Sequence, residues 1–396
     1  MTIGHAKPFT LGKFRVASGP VESDKTSDTE IYLNTLRDSG YSGEFDGSNG
    51  QPNVLVARHP RDDKDPEKIG RHEVLVTDSV NEIYENTSSE TGTIIVAGAS
   101  FFDESLVDLL DSANMSGRRV IVSGLNLDEH GQPFGLMPDL MALADEVVLT
   151  KGLCNIPRCF DDKATRSYLT IDEFKPICAH HFSYRDCPQV PSGSLSMSLG
   201  PMFASKSVHY SRAAERKERA GLDVIMFKWL SDLRYGQEDG KQPEPLSEGE
   251  ITLHDDRRIK AIHARDSNDI ADYLATKSDV RDVFINEGQF MAGLFDLCSK
   301  LIPQGYNLHV DGLHRGYNRK GFGDIPNLMC LADDIKVYQA ICKKCYHPAT
   351  ESHRLTKAEG MILVGGSGEY EARCRRHLVI DGAEPSKFTF DQYEFK

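Results

Sequence analysis

Short apolar runs of strand length alternate along this chain with stretches whose apolar positions recur at helical spacing. The pattern is clearest in the second half. Strands are predicted over Leu195–Leu199, Val224–Lys228, Val283–Ile285 and Tyr306–Val310. Helices are predicted over Val208–Ala220, Asn268–Ala275 and Ala292–Leu301. Strands alternating with helices predict an α/β fold, a parallel sheet with helices on both faces. The Gly/Ser/Asn-rich stretch Ser42–Pro52 and the polar, Pro-containing stretch Gln237–Glu250 read as loops.

The pattern occurs twice. Gly124-Leu125 and Phe134-Gly135 return as Gly312-Leu313 and Phe322-Gly323 at the same spacing, and Leu140–Asp145 returns as Leu328–Asp333. Val54–Arg58 parallels Val224–Lys228, and Cys154, Cys178 and His181 match Cys342, Cys374 and His377. A period of about 190 residues describes two domains, because solenoid repeats are far shorter. The expected division is residues 1–187, a Pro/Gly/Ser linker at 188–194, and residues 195–396.

Composition narrows the function. The chain has 396 residues, 39% hydrophobic and 27% charged, which suits a globular protein with sizeable cores. A net charge of −14 argues against nucleic acid as a partner. No apolar run approaches membrane-spanning length, and Met1–Leu11 lacks a secretory pattern. Nine cysteines, most of them clustered near histidines, favour metal sites in a reducing compartment, and the expected location is the cytoplasm.

The stretch Gly200-Pro201-Met202-Phe203-Ala204-Ser205-Lys206-Ser207 lies between a predicted strand and a predicted helix. That is the layout of a phosphate-binding loop (P-loop), with Lys as a point charge and Ser on Mg²⁺. Ser205 stands where the consensus has Gly. The equivalent stretch of the first half, Gly19–Thr26, carries Asp24 there, an acid facing the phosphates. Cys342 and Cys345, followed by Cys374 and His377, have the spacing of a tetrahedral zinc site. Cys154, Cys159, Cys178 and His181 form a second candidate with a wider first pair, in which His180 is an alternative to His181.

Together these residues resemble the type II thymidine kinases, the small zinc-containing deoxynucleoside kinases. The loop is similar to that family's Gly-Pro-Met-Phe-Ser-Gly-Lys-Ser/Thr. Phe227-Lys228 through Asp232-Leu233-Arg234-Tyr235-Gly236, His254-Asp255, Ile285-Asn286-Glu287-Gly288-Gln289-Phe290, Asn318–Gly323, Val364-Gly365-Gly366 and Tyr370–Arg375 follow in the family's order. The first half resembles the family over Gly124–Ala144 and Ala164-Thr165-Arg166, but Ala97-Gly98 replaces the acidic pair.

The resemblance implies two tandem P-loop kinase-like domains, each with a small zinc-bound lasso, the first degenerate. It implies ATP-dependent phosphorylation of the 5′-hydroxyl of thymidine or a related deoxynucleoside, with Glu287 as base. Lys206 and Ser207 would hold phosphates and Mg²⁺, assisted by Asp232 and Arg234. Phe290, Leu313, Tyr317, Phe322, Val364 and Tyr370 would surround the base, with Met202 near its 5-substituent. Asn286 replaces the family's Asp. A homo-oligomer, a dimer of tandem chains, is expected. The alternative is a weak or inactive pseudoenzyme that binds nucleotides or serves as a scaffold.

Overall fold

The computed structural model describes residues 12–20, 23, 25, 53–62, 68–69, 72–152, 154–156, 159, 166–169, 174–184, 193–231, 243–252, 258–277, 279–356, 368–380 and 385–393. Asp24, Asp232, Arg234, His254-Asp255, Val364, the 42–52 loop and most of the 188–194 linker lie outside these residues.

The first half builds one seven-stranded sheet from β1 (Phe14–Gly19), β2 (Asn53–Arg58), β3 (Lys68–Ile69), β4 (His72–Val76), β5 (Thr91–Ala97), β6 (Arg119–Leu125) and β7 (Glu146–Leu149), in the order β3-β4-β2-β5-β6-β1-β7. Helices α1 (Val80–Glu85), α2 (Ser105–Met115) and α3 (Met137–Leu143) cover one face. Ile83, Leu106, Leu109, Leu110 and Met137 meet Phe14, Val16, Ile94, Val96, Val120 and Val122 there. The central strand β5 is buried throughout, so its residues read as a continuous apolar run with no alternation. A hairpin, β8 (Arg166–Leu169) with β9 (Phe174–Ile177), and the short α4 (Ala179–Ser183) complete this unit.

The second half repeats the plan with β10 (Ser194–Leu199), β11 (Val224–Trp229), β12 (Glu248–Thr252), β13 (Arg258–Ala264), β14 (Asp282–Asn286), β15 (Asn307–Gly312) and β16 (Asp334–Val337), ordered β12-β13-β11-β14-β15-β10-β16. Helix α5 (Lys206–Arg219) packs Tyr210 and Ala214 on Met226, Ile251, Ala261 and Phe284. Helices α6 (Ser267–Ala275), α7 (Leu294–Leu301) and α8 (Ile325–Leu331) cover the opposite face. Two small hairpins follow, β17 (Ala340–Ile341) with β18 (Pro348–Ala349) and β19 (Glu351–Arg354) with β20 (Tyr370–Arg373).

The sheets differ from expectation at one edge. Glu248–Thr252, part of the expected polar loop, forms the antiparallel edge strand β12, and β3 is its counterpart in the first sheet. Strand β13 went unpredicted because charged residues interrupt its apolar positions, as edge-proximal strands permit.

The two units pack through repeat-related elements. Helix α3 lies on α8, with Cys330 Sγ 3.6 Å from Met141 Sδ, and the amide of Asn126 donates to Cys330 O at 2.7 Å. Beside them lies a buried ionic cluster. Glu351 accepts from Arg315 at 2.9 Å and from Arg319. Arg315 also donates to Ala142 O and Leu143 O, Arg319 pairs with Asp111, and Arg375 pairs with Asp145. Residues 385–393 then return to the first unit. Phe388 packs against Tyr84, Tyr393 N donates to Ser116 O at 2.7 Å, and Arg118 donates to Asp391 O at 2.9 Å. Among the described residues no helix is long and apolar enough to cross a membrane.

Candidate active site

The second unit gathers its candidate chemistry at the carboxyl ends of its parallel strands, where open α/β sheets bind ligands. Strand β10 ends at Leu199, and the chain turns immediately. Gly200 has φ 149°, and a Cβ there would lie 2.4 Å from Tyr338 O, so only glycine fits. Phe203 (φ 66°) and Ser205 (φ 58°) also adopt left-handed backbone, which wraps the loop around the N-terminus of α5. Ser205 thus does with a side chain what glycine does without strain, at a cost of about 1–2 kcal/mol. Lys206, almost buried, donates from Nζ to Pro201 O at 2.9 Å, curling over the loop. Ser207 Oγ lies 3.4 Å from Asp311 Oδ2.

Glu287 follows β14 in a left-handed conformation (φ 53°, ψ 49°), an uncommon state for a side chain of this size and one often found at functional sites. Its N–H donates to Asp311 Oδ1 at 2.9 Å, and its carboxylate accepts from Gln289 Nε2 at 2.6 Å. Gln289 Oε1 in turn accepts from Leu313 N at 3.1 Å, so one carboxamide joins Glu287 to the predicted base-pocket residue Leu313. Burial first, and the neighbouring Glu287 carboxylate second, push the Asp311 carboxyl upward.

Aromatic residues form the wall beyond Glu287. Phe290 meets Phe322 edge-on at 5.3 Å and stacks on Trp229 at 4.3 Å. Tyr317 and Tyr370 share another cation: the Arg354 guanidinium lies 4.7 Å from the Tyr317 ring and 6.0 Å from the Tyr370 ring. Met202 is tied by its N–H to Ser352 Oγ at 3.0 Å, which links the Gly200–Ser207 loop to β19.

Two four-residue clusters have ligand atoms within 4.8 Å of one another, Cys342, Cys345, Cys374 and His377, and Cys154, Cys159, Cys178 and His181. In the second unit Cys374 Sγ lies 3.2 Å from His377 Nδ1 and 3.6 Å from Cys345 Sγ. Zinc bond lengths in a tetrahedron put sulfurs about 3.8 Å apart and sulfur to nitrogen about 3.6 Å, so three thiolates and an imidazole fit Zn²⁺. His181 joins the first-unit cluster through Cys178 at 3.3 Å, whereas His180 Nδ1 lies 3.4 Å from Pro303 O. His180 is therefore a contact between the units. The second cluster packs on Ala204 of the Gly200–Ser207 loop, so a zinc ion there would brace that loop without taking part in chemistry.

The family model described as thymidine kinase matches residues 48–180 and again 193–378. The chain belongs to the thymidine kinase family. A thymidine kinase of Bacteroides fragilis (strain YCH46) is 32% identical over 184 residues, covering 46% of this chain and 85% of the relative. The split match agrees with the duplicated architecture, two α/β units each bearing a Cys/His cluster able to hold zinc.

The first unit repeats much of the second unit's local geometry and differs from it at the position of Glu287. Lys25 Nζ donates to Pro20 O at 2.7 Å, as Lys206 does to Pro201. Phe101 meets Phe134 edge-on at 5.4 Å, as Phe290 meets Phe322, and His59 stands where Trp229 stands, 5.6 Å from Phe101. But Gly98, at φ 67°, holds the place of Glu287, and a Cβ added there would lie 2.8 Å from Asp62 Cβ.

From sequence, Gln289 figures only as part of the Ile285–Phe290 motif, without a role, and Trp229, Asp311, Ser352 and Arg354 are not singled out. Trp229, the chain's only tryptophan, directly follows the Phe-Lys motif and was open to notice. Asp311 sits between the strand Tyr306–Val310 and the repeated Gly312-Leu313, a charged residue at a strand end beside an invariant feature of both halves. An open cleft of about 470 Å³ between α5 and β10, β15 and β16, lined in part by Ser196, His209, Lys217 and His309, includes none of the predicted site residues.

Proposed function

We propose that the second unit phosphorylates the 5′-hydroxyl of thymidine or a related deoxynucleoside from ATP. The observation that carries this is Glu287. A carboxylate on left-handed backbone stands at a strand end, oriented by Gln289, between a Lys206/Ser207 loop and the Phe290–Phe322 aromatic wall. Phosphoryl transfer needs positioning, charge neutralisation and a base for the hydroxyl proton. The loop's backbone N–H groups and Lys206 would bind phosphates, with Asp232 and Arg234 assisting. Mg²⁺, when bound, neutralises charge on the phosphate oxygens, and the hard oxygens of Ser207 and Asp311 suit it. Glu287 Oε atoms would take the hydroxyl proton. Phe290, Leu313, Tyr317, Phe322, Tyr370 and the backbone near Val364 would hold the base, with the zinc cluster bracing the lasso.

The first unit, with Gly98 for the base and Asp24 in its loop, would serve as a structural partner. The chain would be cytoplasmic and assemble as a dimer. The pseudoenzyme reading keeps one specific support, the left-handed Ser205 in place of glycine. A kinase assay with thymidine, ATP and Mg²⁺ on wild type and Glu287→Gln tests the proposal. Product from wild type and its loss in the variant are expected. Equal rates, or no product from a nucleoside screen, would overturn it.

A further inference from the structure

The residue at the end of β14, where a carboxylate would sit beside the phosphates, is an amide, Asn286. The neighbouring strand supplies the acid. Asp311 lies one strand over on β15, 1% exposed, and the Asn286 amide donates to its Oδ1 at 2.8 Å. Oδ1 also accepts the Glu287 N–H. Both of these donors are spent on one oxygen. The other, Oδ2, faces Ser207 Oγ at 3.4 Å, the hydroxyl at the start of α5.

That division of labour is how proteins prepare a carboxylate for a metal. One oxygen is anchored by outer donors, which fix its orientation, and the other is presented. Asp311 and Ser207 are both hard oxygen donors, the type that divalent magnesium takes together with nucleotide phosphates. A buried carboxylate next to a second one, Glu287, also calls for compensating charge. Lys206 contributes some of it from the loop. The first unit has no such acid: Ser123 occupies the register position of Asp311 on the equivalent strand, and Ala97 that of Asn286.

We infer that Asp311 is the metal-anchoring carboxylate of the second unit, transposed from β14 to β15, and that Asn286 orients it. This rests on the phosphotransfer reading above. It also means that Asn286 does not mark a decayed site; the charge has moved by one strand.

The test measures ADP binding by titration calorimetry on the full chain, with Mg²⁺ and with EDTA, and the electron paramagnetic resonance of Mn²⁺ in the ADP complex. Wild type, Asp311→Asn and the exchange Asn286→Asp/Asp311→Asn are compared. Asp311→Asn is expected to bind metal-free ADP within about two-fold of wild type and to lose about 10–100-fold of the Mg²⁺-dependent gain, together with the bound Mn²⁺ signal. The exchange variant is expected to recover both, because the carboxylate returns to the adjacent strand end. Zinc content and thermal unfolding report folding. If Asp311→Asn does not fold, the exchange variant decides: recovery of the metal-dependent gain supports the transposition, and its absence overturns it. A full Mg²⁺ gain in folded Asp311→Asn also overturns it while leaving the phosphotransfer reading intact. Failure of wild type to bind ADP under either condition sinks that reading instead.

Discussion

Arg315 and Glu351, both almost wholly buried, pair at 2.9 Å at the junction of the two units. Arg315 continues to the carbonyls of Ala142 and Leu143, so a single guanidinium binds the lasso of one unit to the end of α3 in the other. Arg319 and Arg375 extend the same cluster to Asp111 and Asp145.

Acid should therefore loosen the junction. Burial works to raise the Glu351 carboxyl, but Arg315, Arg319 and Arg375 outweigh it and hold it down to about 2. The unfolded value is about 4.3. A depressed carboxyl contributes stability that is complete above the unfolded value and is lost as pH falls from about 4.3 toward 2. The contribution is of order 3 kcal/mol. Glu351→Gln should cost about 3–5 kcal/mol at neutral pH, because it strands buried arginines. Urea unfolding of both proteins between pH 7 and pH 3 checks this; the gap between them should narrow only below about pH 4.5. A constant gap would show that the Glu351 charge does not hold the junction.

Glu287→Gln should lower kcat by about 10²–10⁴-fold with little change in nucleoside affinity, the range for loss of a positioned base. The reverse change in the first unit, Gly98→Glu, should give no second active site. The left-handed backbone and the Asp62 contact at 2.8 Å should instead destabilise that unit by at least about 1 kcal/mol. Steady-state kinetics with thermal unfolding of both variants decides.

Ser205→Gly should relieve the left-handed strain beside Lys206. If about 1 kcal/mol of it is released on nucleotide binding, ATP should bind about five-fold tighter. Calorimetric titration measures this directly. Unchanged affinity would mean that Ser205 is accommodated at no cost to the site.

How much of this was legible in the sequence follows from the range of each interaction. Strands β10, β11, β14 and β15 and helices α5, α6 and α7 fall within about two residues of their predicted places, because periodicity is local. The strand–loop–helix layout around Gly200–Ser207 and the clustering of the Cys/His pairs were legible for the same reason: their spacing is itself the signal. Asp311 was not, since its partners Asn286, Glu287 and Ser207 come from other elements and only the sheet order brings them together. The Glu351 cluster joins residues that are far apart in the chain, and single buried charges carry no periodic mark. The terminal Phe388-Thr389-Phe390 is too short to read as an element, and its partner Tyr84 is some 300 positions earlier.

Cys374→Ser should release the zinc of the second unit and leave that of the first, halving the zinc measured by atomic absorption. Because this cluster packs on Ala204 and Ser352 anchors Met202, the variant should also lose ATP and thymidine binding together. Loss of zinc with both ligands still bound would separate the metal from the site.

Removing residues 385–396 tests whether the chain end is part of the first unit's core. Phe388 is 5% exposed and lies 5.2 Å from the Tyr84 ring, while Phe390 and Tyr393 sit over the Arg118 guanidinium. Burying one phenylalanine contributes about 1.5–3 kcal/mol. Arg118 would lose its bond to Asp391 O, leaving a buried cation with fewer partners, and burial already lowers its proton affinity. Helices α1 and α2, which the tail covers, belong to the first unit, and Glu287 does not. The truncated chain should therefore melt in a separate, earlier step and be cleaved first within residues 80–118, while kinase activity per folded second unit persists below that step. Differential scanning calorimetry, limited proteolysis and assays across the transition check this. A single unshifted melting transition would mean that the tail rests on the first unit without supporting it.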